Sequence, residues 1–384
     1  MTTTFWILIS LIIYCYFGYP AILYVIAKMF PNRVRKETFL PRVAVILSVC
    51  NEEDVIEAKI RNLLSLDYPA EKIEIIIGSD GSTDKTDVII KNFNNPRIRL
   101  ITSNERRGKI ATLNDIVVQA KNEILVFTDA RQIFEKNAVR QLVANFSDSK
   151  IGCVSGELEL SKETGSTGKG INLYWNYEKF IRKTESQIHS MIGATGAIYA
   201  IRRELFSAAP LSTVLDDVYI PLKIIQKSFR AIFDETAKAY DQVAESPKEE
   251  YRRKTRTLYG NYQIFAMFPL MFIPVYSPIA VQFFSHKLLR VLIPFFLIAV
   301  FFMNFALSTQ AFYFKLFFVQ IDFYLMAVLG ALLRYQKHGI LRGISRVCSI
   351  PYVFCLLNFS ALIGFFRFIF SKQQVTWEKA RKNE

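Results

Sequence analysis

The stretch IEIIIGSDGSTDKTDVIIKN, residues 73–92, places a predicted strand, a turn and a helix in direct succession. The apolar run at its start is typical of a buried strand, and the spaced apolar residues at its end indicate a short helix. Between them, the Asp-Gly pair favours a turn, and the hydroxyl and carboxylate side chains that follow are common helix caps. The stretch therefore predicts a strand–turn–helix unit with Asp80 at the carboxyl end of the strand.

Comparable units lie on both sides of this stretch. RVAVILSV before it, and RIRLIT and EILVFTD after it, read as buried strands separated by amphipathic helices. Strands that alternate with helices predict an α/β fold whose parallel sheet is covered on both faces. Further along the chain, IGCVSGELEL predicts a strand, residues 171–189 predict a helix, and FRAIFDETAKAY predicts a pair of strands.

Composition indicates a globular domain together with lipid-facing segments. The chain has 384 residues, of which 51% are hydrophobic and 33 are phenylalanine. Its formal net charge of +14 does not indicate nucleic acid binding, because many of the cations lie beside apolar runs, where anionic lipids attract them. The five cysteines have no metal or disulfide spacing and indicate a reduced, cytosolic setting, and the three histidines are too scattered for a zinc site.

The N-terminal segment, residues 1–28, is predicted to be a transmembrane helix. Residues 5–27 carry no charge and are long enough to cross a bilayer. A cleaved signal peptide is the alternative, but the chain starts with MTTT and its basic residues follow the apolar run instead of preceding it. A retained anchor whose carboxyl end faces the cytoplasm fits this charge distribution better.

The C-terminal part, residues 288–370, is predicted to contain further transmembrane helices, at residues 288–307, 316–333 and 349–366. The preceding segment, 258–287, contains three prolines within an uncharged run and is predicted to lie at the membrane interface. A basic tail follows at 371–384. One N-terminal and three C-terminal spans would place this tail outside the cell, against the usual charge rule, unless one segment is re-entrant.

Polar side chains follow several predicted strands at the edge where ligands commonly bind in α/β folds. Asn51 and Glu52 follow the first strand and are expected next to Asp80, and Asp129 ends a later strand. Helix capping is the alternative explanation for the acids that begin helices. Arg131 stands two residues after Asp129, where a second acid would be expected in a metal site.

Basic and acidic groups also occur at predicted helix starts. Lys109 ends a cationic loop before a helix, an arrangement suited to a diphosphate, although a solvated loop is equally compatible. Asp216 and Asp217 begin another helix, where capping explains one acid and a general base would explain the second. Arg253 and Arg256 lie on one face of a helix, which suits either a membrane surface or a ligand.

In this order and spacing, the chain resembles family-2 glycosyltransferases with the GT-A fold, over about residues 42–261. It is most similar to the membrane-embedded group that includes cellulose, chitin, hyaluronan and poly-N-acetylglucosamine synthases. The segments that carry the resemblance are NEED, SDGSTDKT, RRGKIATLN, FTDAR, GATGAIYAIRR, LDD and RRKTR. The resemblance implies a cytoplasmic GT-A domain, a Rossmann-like mixed sheet at 41–257, between N- and C-terminal transmembrane helices.

The resemblance also implies a role for each matching position. The catalytic base would be Asp217, and Asp129 would bind a Mg²⁺ or Mn²⁺ ion together with ribose and phosphate. The acceptor would be contacted by Gly193, Ala194, Thr195 and Asp216. The nucleotide sugar would be bound by Asn51, Glu52, Asp80, Lys109, Asp129, Arg131, Arg253 and Arg256.

Two departures from the family pattern affect this interpretation. Thr257 replaces a tryptophan linked to processive synthesis, and Arg131 replaces the usual second metal ligand. An arginine can instead bind a phosphate through two parallel hydrogen bonds. We therefore expect a metal requirement less strict than in relatives that have both acids.

The expected activity is inverting transfer from a UDP-sugar to a glycan or lipid-linked acceptor, at the cytoplasmic face of a bacterial inner membrane. Membrane lipids are expected partners, and nucleic acid is not. One alternative is a single transfer to a lipid acceptor, such as a polyprenyl phosphate or a glycerolipid. Another is a non-catalytic membrane partner that binds nucleotide sugars, which Arg131 alone suggests.

Overall fold

The structure, a computed structural model, describes residues 1–160, 166–241, 247–333 and 339–370. Within these ranges, side chains are not described for residues 166–172, 247–253, 339, 340 and 342. The predicted basic tail at 371–384 and the side chain of Arg253 therefore lie outside the described residues.

Eight strands form one mixed sheet in the order β3-β2-β1-β4-β7-β6-β8-β5. Their bounds are β1 (Val43–Val49), β2 (Ile73–Asp80), β3 (Ile98–Ser103), β4 (Ile124–Thr128), β5 (Ile133–Phe134), β6 (Ile151–Leu160), β7 (Tyr199–Arg202) and β8 (Arg230–Asp241).

The helices surround this sheet and extend from it at both ends of the chain. They are α1 (Thr2–Ile13), α2 (Tyr19–Met29), α3 (Ile56–Leu64), α4 (Thr86–Asn92), α5 (Lys109–Gln119), α6 (Ala138–Ala144), α7 (Ser166–Ile188), α8 (Asp216–Gln226), α9 (Pro247–Met267), α10 (Ala280–Gln282), α11 (Leu289–Leu307), α12 (Ala311–Leu332) and α13 (Gly339–Phe370). Short 3₁₀ turns lie at Ala70–Lys72, Asn145–Ser147, Arg203–Leu205 and Pro269–Phe272, and π-helical turns lie at Tyr14–Gly18 and Phe283–Leu288.

The first four strands form the parallel half of the sheet, as their apolar sequences predict. β1 lies between β2 and β4 and is parallel to both. Every residue of β1 and β4 is buried, which explains the continuous apolar runs in these strands. Because the strands are parallel, their carboxyl ends and the loops that follow them meet at one edge of the sheet.

The second half of the sheet is mixed. β7 runs antiparallel to both β4 and β6, and β8 runs parallel to β6. The prediction of two strands in FRAIFDETAKAY is wrong, because this segment forms the single strand β8. Its register against β6 shifts between Gly156 and Glu157, whose partners are Asp234 and Lys238. The intervening residues 235–237 form a bulge, in which Glu235 and Thr236 are exposed, so a single strand contains polar residues that resemble a turn.

Apolar residues cover both faces of the sheet, as predicted. One face packs against Ile110, Leu113 and Ile116 of α5, and the other packs against α3 and α6. Close packing under α5 requires a glycine in β2, since a Cβ at Gly78 would lie 2.5 Å from Thr112 Cγ2. The sheet thus lies between two layers of helices. The edge where the carboxyl ends of the parallel strands meet is not covered by these layers and can form a site.

Four helical stretches in the described part of the chain are long and apolar enough to cross a membrane: Thr2–Met29, Ala280–Leu307, Ala311–Leu332 and Gly343–Phe370. The sequence predicts four spans at the same places, but the second one begins earlier here, at Ala280. The predicted interfacial segment is divided between the end of α9, the 3₁₀ turn at Pro269–Phe272 and the start of this second span. Prolines in this segment favour the break, because a proline inside a helix removes one backbone hydrogen bond and its ring clashes with the preceding turn.

α9 connects the sheet domain to these apolar helices. Its Tyr262 ring packs against Phe365 and Phe368 of α13, with ring centroids 5.4 and 6.0 Å away. Gly364 of α13 allows a close approach, since a Cβ there would lie 3.0 Å from Leu258 Cβ. The domain and the apolar helices are therefore in direct contact through α9.

Candidate active site

The loops after β1 and β2 are hydrogen-bonded to each other at the predicted edge of the sheet. Asn51 has a positive φ of 55°, and its Oδ1 accepts a hydrogen bond from the Thr83 N–H at 2.7 Å. The Asn51 and Glu52 N–H groups donate to Ser82 Oγ and Thr86 Oγ1 at 3.1 and 2.8 Å. The structure thus brings Asn51 and Glu52 next to the loop that Asp80 begins, as the sequence predicts.

Asp80 holds the basic loop before α5. It is buried, and its Oδ1 and Oδ2 accept the N–H groups of Arg107 and Gly108 at 2.7 and 2.8 Å. Gly81 has a φ of 63°, and a Cβ on it would lie 2.8 Å from Arg106 N. Residue 81, in the turn after β2, must therefore be glycine. The Asp80 carboxylate fixes the loop that leads to Lys109.

Lys109 joins two of the predicted acids. Its Nζ lies 3.0 Å from Asp129 Oδ1 and 3.5 Å from Asp216 Oδ2. Burial disfavours the charged form of Lys109, but the two carboxylates outweigh this effect and raise its pKa. The positively charged Lys109 side chain therefore joins the end of β4 to the start of α8.

Asp217 has the electrostatic environment of a general base. Burial and the neighbouring Asp216 carboxylate raise its pKa to about 6, although Lys109 and Arg182 oppose the shift. The side chain remains partly exposed. A carboxylate with such a pKa is largely deprotonated at neutral pH and still basic enough to accept a proton.

The GATGA loop lies directly against Asp217. The Ala194 N–H donates to the Asp217 carbonyl oxygen at 2.8 Å, and a Cβ at Gly196 would lie 3.1 Å from Asp217 Oδ2. Gly193, Ala194 and Thr195 are buried, and Gly196 is the partly exposed member of the loop. The predicted acceptor residues thus pack beneath Asp217, and Gly196 presents backbone to the space beside it.

Arg131 lies in the loop between β4 and β5. Its side chain is 37% exposed, and its Nη2 is 4.0 Å from Asp241 Oδ2. Gln132 donates to the same Asp241 oxygen at 2.7 Å. Arg131 therefore occupies the loop that begins at Asp129, with enough exposure to reach a ligand.

Sequence reasoning missed Lys59, which is fully buried beneath this loop. Its Nζ donates to Thr128 Oγ1 at 2.7 Å and to the Gln132 carbonyl oxygen at 2.6 Å. Burial lowers the pKa of Lys59 to about 7, although Asp129 and Asp241 oppose the shift. The available signal was a lysine on the apolar face of α3, one residue before Ile60.

α9 supports the loop that leads to Asp216. Gln263 accepts the Val214 N–H at 2.9 Å and donates to the Ser212 carbonyl oxygen at 2.7 Å. Gly260 packs on Leu215, which a Cβ would approach to 2.5 Å. Arg256 is partly exposed and lies one turn before Gly260, so it lies on the face of α9 that points toward this loop.

Arg182 of α7 was also missed. Its Nη1 donates to Thr195 Oγ1 at 2.8 Å, and the Thr195 N–H donates to Ser155 Oγ at 2.9 Å. The charge of Arg182 acts on Asp217, as noted above. No local sequence motif identifies Arg182, because its contact with Thr195 joins α7 to a loop further along the chain.

Asp129 can bind a metal ion only if other ligands complete the coordination shell. In the ranges that the structure describes, no group of three or more histidine, cysteine, aspartate or glutamate residues could hold a metal. Asp129 offers one carboxylate, and one of its oxygens already accepts from Lys109. Mg²⁺ commonly takes one or two carboxylates and completes its shell with substrate phosphates, so this donor set suits a metal that arrives with a nucleotide.

Comparison with known families identifies the class of domain. Residues 44–208 match the family model described as Glycosyl transferase family 2. The chain therefore contains a family-2 glycosyltransferase domain, as its motifs predict.

Curated relatives agree with this assignment. The chain is 25% identical over 247 residues to the probable glycosyltransferase YdaM of Bacillus subtilis, a match that covers 61% of this chain and 58% of that protein. It is 26% identical over 235 residues to poly-beta-1,6-N-acetyl-D-glucosamine synthase of Staphylococcus aureus, covering 59% of this chain and 56% of the synthase. The chain thus spans less than two thirds of the length of these relatives.

A solved structure resembles the chain over almost its whole length. The mannosyltransferase PcManGT from Pyrobaculum calidifontis, in complex with GDP-Man and Mn²⁺, superposes with a TM-score of 0.71 at 22% identity. The match covers 96% of this chain and all of that one. This likeness confirms the predicted GT-A fold.

Proposed function

We infer that the chain is an inverting glycosyltransferase that moves a sugar from a nucleotide sugar to a glycan or lipid-linked acceptor. One observation carries this proposal. Asp217, whose pKa is about 6, lies in the same site as the Asp129–Lys109–Asp216 group and beside the Gly196 backbone. The site thus combines a base for an acceptor hydroxyl with groups that can hold a phosphate-bearing donor.

The residues of the site divide the chemistry between them. Asp217 accepts the proton of the attacking hydroxyl, while Lys109 and Arg131 oppose the negative charge that grows on the leaving diphosphate. A Mg²⁺ or Mn²⁺ ion held by Asp129 and the phosphates would add positive charge there. A single displacement inverts the anomeric carbon, so an α-linked donor gives a β-linked product.

The donor is proposed to be a UDP-sugar. The resemblance to poly-N-acetylglucosamine synthases supports a uridine nucleotide, and Asn51, Glu52 and Asp80 would lie near the nucleoside. PcManGT, which has the same fold, was solved with GDP-Man. A GDP-sugar is therefore the donor to test beside UDP-sugars.

The domain is proposed to face the cytoplasm, between the first and second candidate spans. Basic residues that follow the first span, including Lys28, Arg33 and Lys36, support this orientation. In this arrangement the active site lies at the inner membrane surface, within reach of lipid-borne acceptors.

Single transfer to a lipid acceptor is the second candidate function. Thr257 supports it, because this residue is exposed and replaces the aromatic platform linked to processive synthesis. Chromatography of a radiolabelled product separates the two candidates, since a polymerase gives a ladder and a single-addition enzyme gives one band.

Nucleotide release by the purified chain tests the activity itself. A panel of UDP- and GDP-sugars is supplied with a membrane lipid extract as the source of acceptor, and free nucleotide is measured. The Asp217→Asn variant is expected to lose at least about a thousandfold in turnover, since it lacks the base. Asp67→Asn changes an exposed aspartate paired with Arg140 and serves as the matched control. Absence of nucleotide release by wild type with every donor would favour a nucleotide-binding partner over an enzyme, whereas equal release by wild type and Asp217→Asn would contradict the role of Asp217 as the base.

A further inference from the structure

The first two candidate spans each contain one π-helical turn, at Tyr14–Gly18 and Phe283–Leu288. The two turns contact each other, since Tyr14 Oη lies 2.9 Å from Ser285 Oγ. A π-helical turn contains one residue more than a regular turn and is frequent at functional sites. Both turns lie beside α7 of the sheet domain, so the two spans depart from regular helical geometry where they meet this helix.

One side chain from each span binds α7 at this place. Tyr19 follows the first π-helical turn, and its Oη donates to Glu185 Oε1 at 2.7 Å. His286 belongs to the second turn, and its Nδ1 lies 2.8 Å from the same carboxylate oxygen. His286 Nε2 lies 3.2 Å from Oε2 of Glu178, which also pairs with Arg290. These five residues form a polar cluster that joins both spans to one face of α7.

The polar cluster is buried, and its hydrogen bonds are incomplete. Tyr19, Glu185 and His286 are 2%, 0% and 3% exposed. In the part of the chain that the structure describes, Glu185 Oε2 and the Nε and Nη2 atoms of Arg290 have no hydrogen-bond partner. Buried polar atoms without a partner are costly, and apolar side chains of similar size would join the helices at lower cost. Sequences keep such exceptions mainly at functional sites, so the cluster indicates a role beyond stability.

Arg182 connects the position of α7 to the catalytic loop. It lies between the two glutamates of the polar cluster on the same face of the helix. Its Nη1 donates to Thr195 Oγ1 at 2.8 Å. The neighbouring Ala194 N–H donates to the carbonyl oxygen of Asp217 at 2.8 Å. A displacement of α7 would therefore remove a contact that supports the loop beneath the proposed base.

We propose that Tyr19 and His286 are positioning residues, which hold α7 so that Arg182 supports the loop beneath Asp217. This inference rests on the proposed function, because it concerns the loop that lies against the base. The first two spans then do more than anchor the sheet domain, since their contact with α7 sets the position of that loop.

Hydrogen exchange tests the proposal without any substrate. The full chain in detergent is transferred to D₂O, and the peptide that contains residues 193–196 is followed by mass spectrometry. Tyr19→Phe removes one hydroxyl and keeps the ring. We expect the amides of Ala194 and Thr195 to exchange about two- to fivefold faster in this variant, because the loss of one hydrogen bond through α7 cannot exceed the contribution of that bond.

Nucleotide release with the donor panel and the lipid extract gives the second measurement. In Tyr19→Phe, the amount of extract needed for half-maximal rate should rise about two- to fivefold, because the loop of the acceptor side is less well held. The KM for the donor should stay constant, because the donor side is held by the loops of the sheet domain. A smaller folded fraction alone would lower the rate and change neither value.

Tyr14→Phe is the matched control. It also removes one tyrosine hydroxyl between the first two spans, but this hydroxyl contacts Ser285 instead of α7. Exchange at residues 193–196 and both half-saturation values should remain as in wild type. An equal change in Tyr14→Phe and Tyr19→Phe would show a general loosening of the spans and would overturn the proposal.

His286→Asn tests the contribution of the second span. The shorter side chain loses the contact with Glu178, which keeps its ion pair with Arg290, so the chain should still fold. This variant should reproduce the faster exchange and the higher demand for lipid extract. Wild-type exchange at residues 193–196 in both Tyr19→Phe and His286→Asn would overturn the proposal.

This inference and the proposed function fail in different ways. If nucleotide release depends on Asp217 while the exchange at residues 193–196 does not respond to Tyr19→Phe or His286→Asn, only the positioning role is wrong. If the exchange responds while no donor yields nucleotide in an Asp217-dependent manner, the link from the spans to the loop remains and the transferase proposal is wrong.

Discussion

The two halves of the candidate site are held by different kinds of contact. On the proposed donor side, loops that follow β1, β2 and β4 are fixed by buried polar groups of the parallel half-sheet, such as Asp80 and Lys59. On the proposed acceptor side, Asp217 and the loop at Gly196 depend on α7 and α9, which also contact the apolar helices. The donor side is therefore built by the domain itself, and the acceptor side also depends on elements that contact the candidate membrane spans.

Among the changes that compare the two sides without removing the proposed base, the change at Asp80 on the donor side is expected to have the largest effect. In Asp80→Asn, an amide that donates replaces a carboxylate oxygen that accepts a backbone N–H, so one N–H of the Arg107–Gly108 loop loses its partner. An unpaired buried donor costs about 1–3 kcal/mol, which corresponds to roughly five- to 150-fold in kcat/KM for the donor. Steady-state kinetics at saturating acceptor measure this loss.

Asp115→Asn is the control for Asp80→Asn, because it changes an exposed aspartate on α5 that pairs with the Arg107 side chain. Its donor kinetics should stay close to wild type. An Asp80→Asn variant with unchanged KM for the donor would show that the basic loop does not need this carboxylate.

The pH dependence of activity tests the protonation of Asp217 on the acceptor side. Because burial and Asp216 raise the pKa of Asp217 to about 6, kcat/KM should fall below pH 6, by about tenfold per pH unit. Protonation of Asp217 at low pH should not destabilise the fold. A carboxyl whose folded pKa exceeds its unfolded pKa binds more protons when folded, so its titration stabilises the protein as the pH falls. An acid limb well below pH 5 would contradict the assignment.

The sequence predicted the donor side well because its signals are local. Asn51, Asp80 and Asp129 each follow an apolar strand, and parallel strands bring their carboxyl ends to one edge. Lys59 was missed because a single lysine within an amphipathic helix is usually assumed to face solvent, although it lies on the apolar face beside Ile60. Only the three-dimensional packing shows that its ammonium group supports the loop after β4.

The acceptor side was predicted less completely because its contacts join distant parts of the chain. LDD and GATGA were recognised as motifs, but their proximity depends on the Ala194–Asp217 hydrogen bond, which no periodicity reveals. The bulge in β8 contains polar residues that resemble a turn, so the sequence pattern predicts two strands where the structure has one. Arg182 carries no motif, and its role follows only from the packing of α7 against the Thr195 loop.

Arg131 tests how far the donor side depends on a metal ion. If Arg131 pairs with a phosphate, wild type should keep about a tenth of its activity after chelation. The tenfold loss corresponds to one charge-assisted contact between the metal and the phosphate. Arg131→Asp restores the usual second acid, and its activity should become fully dependent on added Mg²⁺ or Mn²⁺. Nucleotide release with and without EDTA measures both. Complete loss in wild type, together with higher activity in Arg131→Asp, would argue against a phosphate role for Arg131.

The smallest effect is expected from Thr195, where the acceptor side can be loosened without removing a charge. Thr195→Val keeps the shape of the side chain but deletes the hydroxyl that accepts from Arg182 at 2.8 Å. Loss of one such hydrogen bond costs about 1 kcal/mol, so KM for the acceptor should rise by roughly three- to tenfold while KM for the donor stays constant. Ser212→Ala, which removes an exposed hydroxyl while keeping the carbonyl that binds Gln263, is the control. An equal change in both KM values would mean that the two halves of the site are not independent, since Thr195 lies only on the acceptor side.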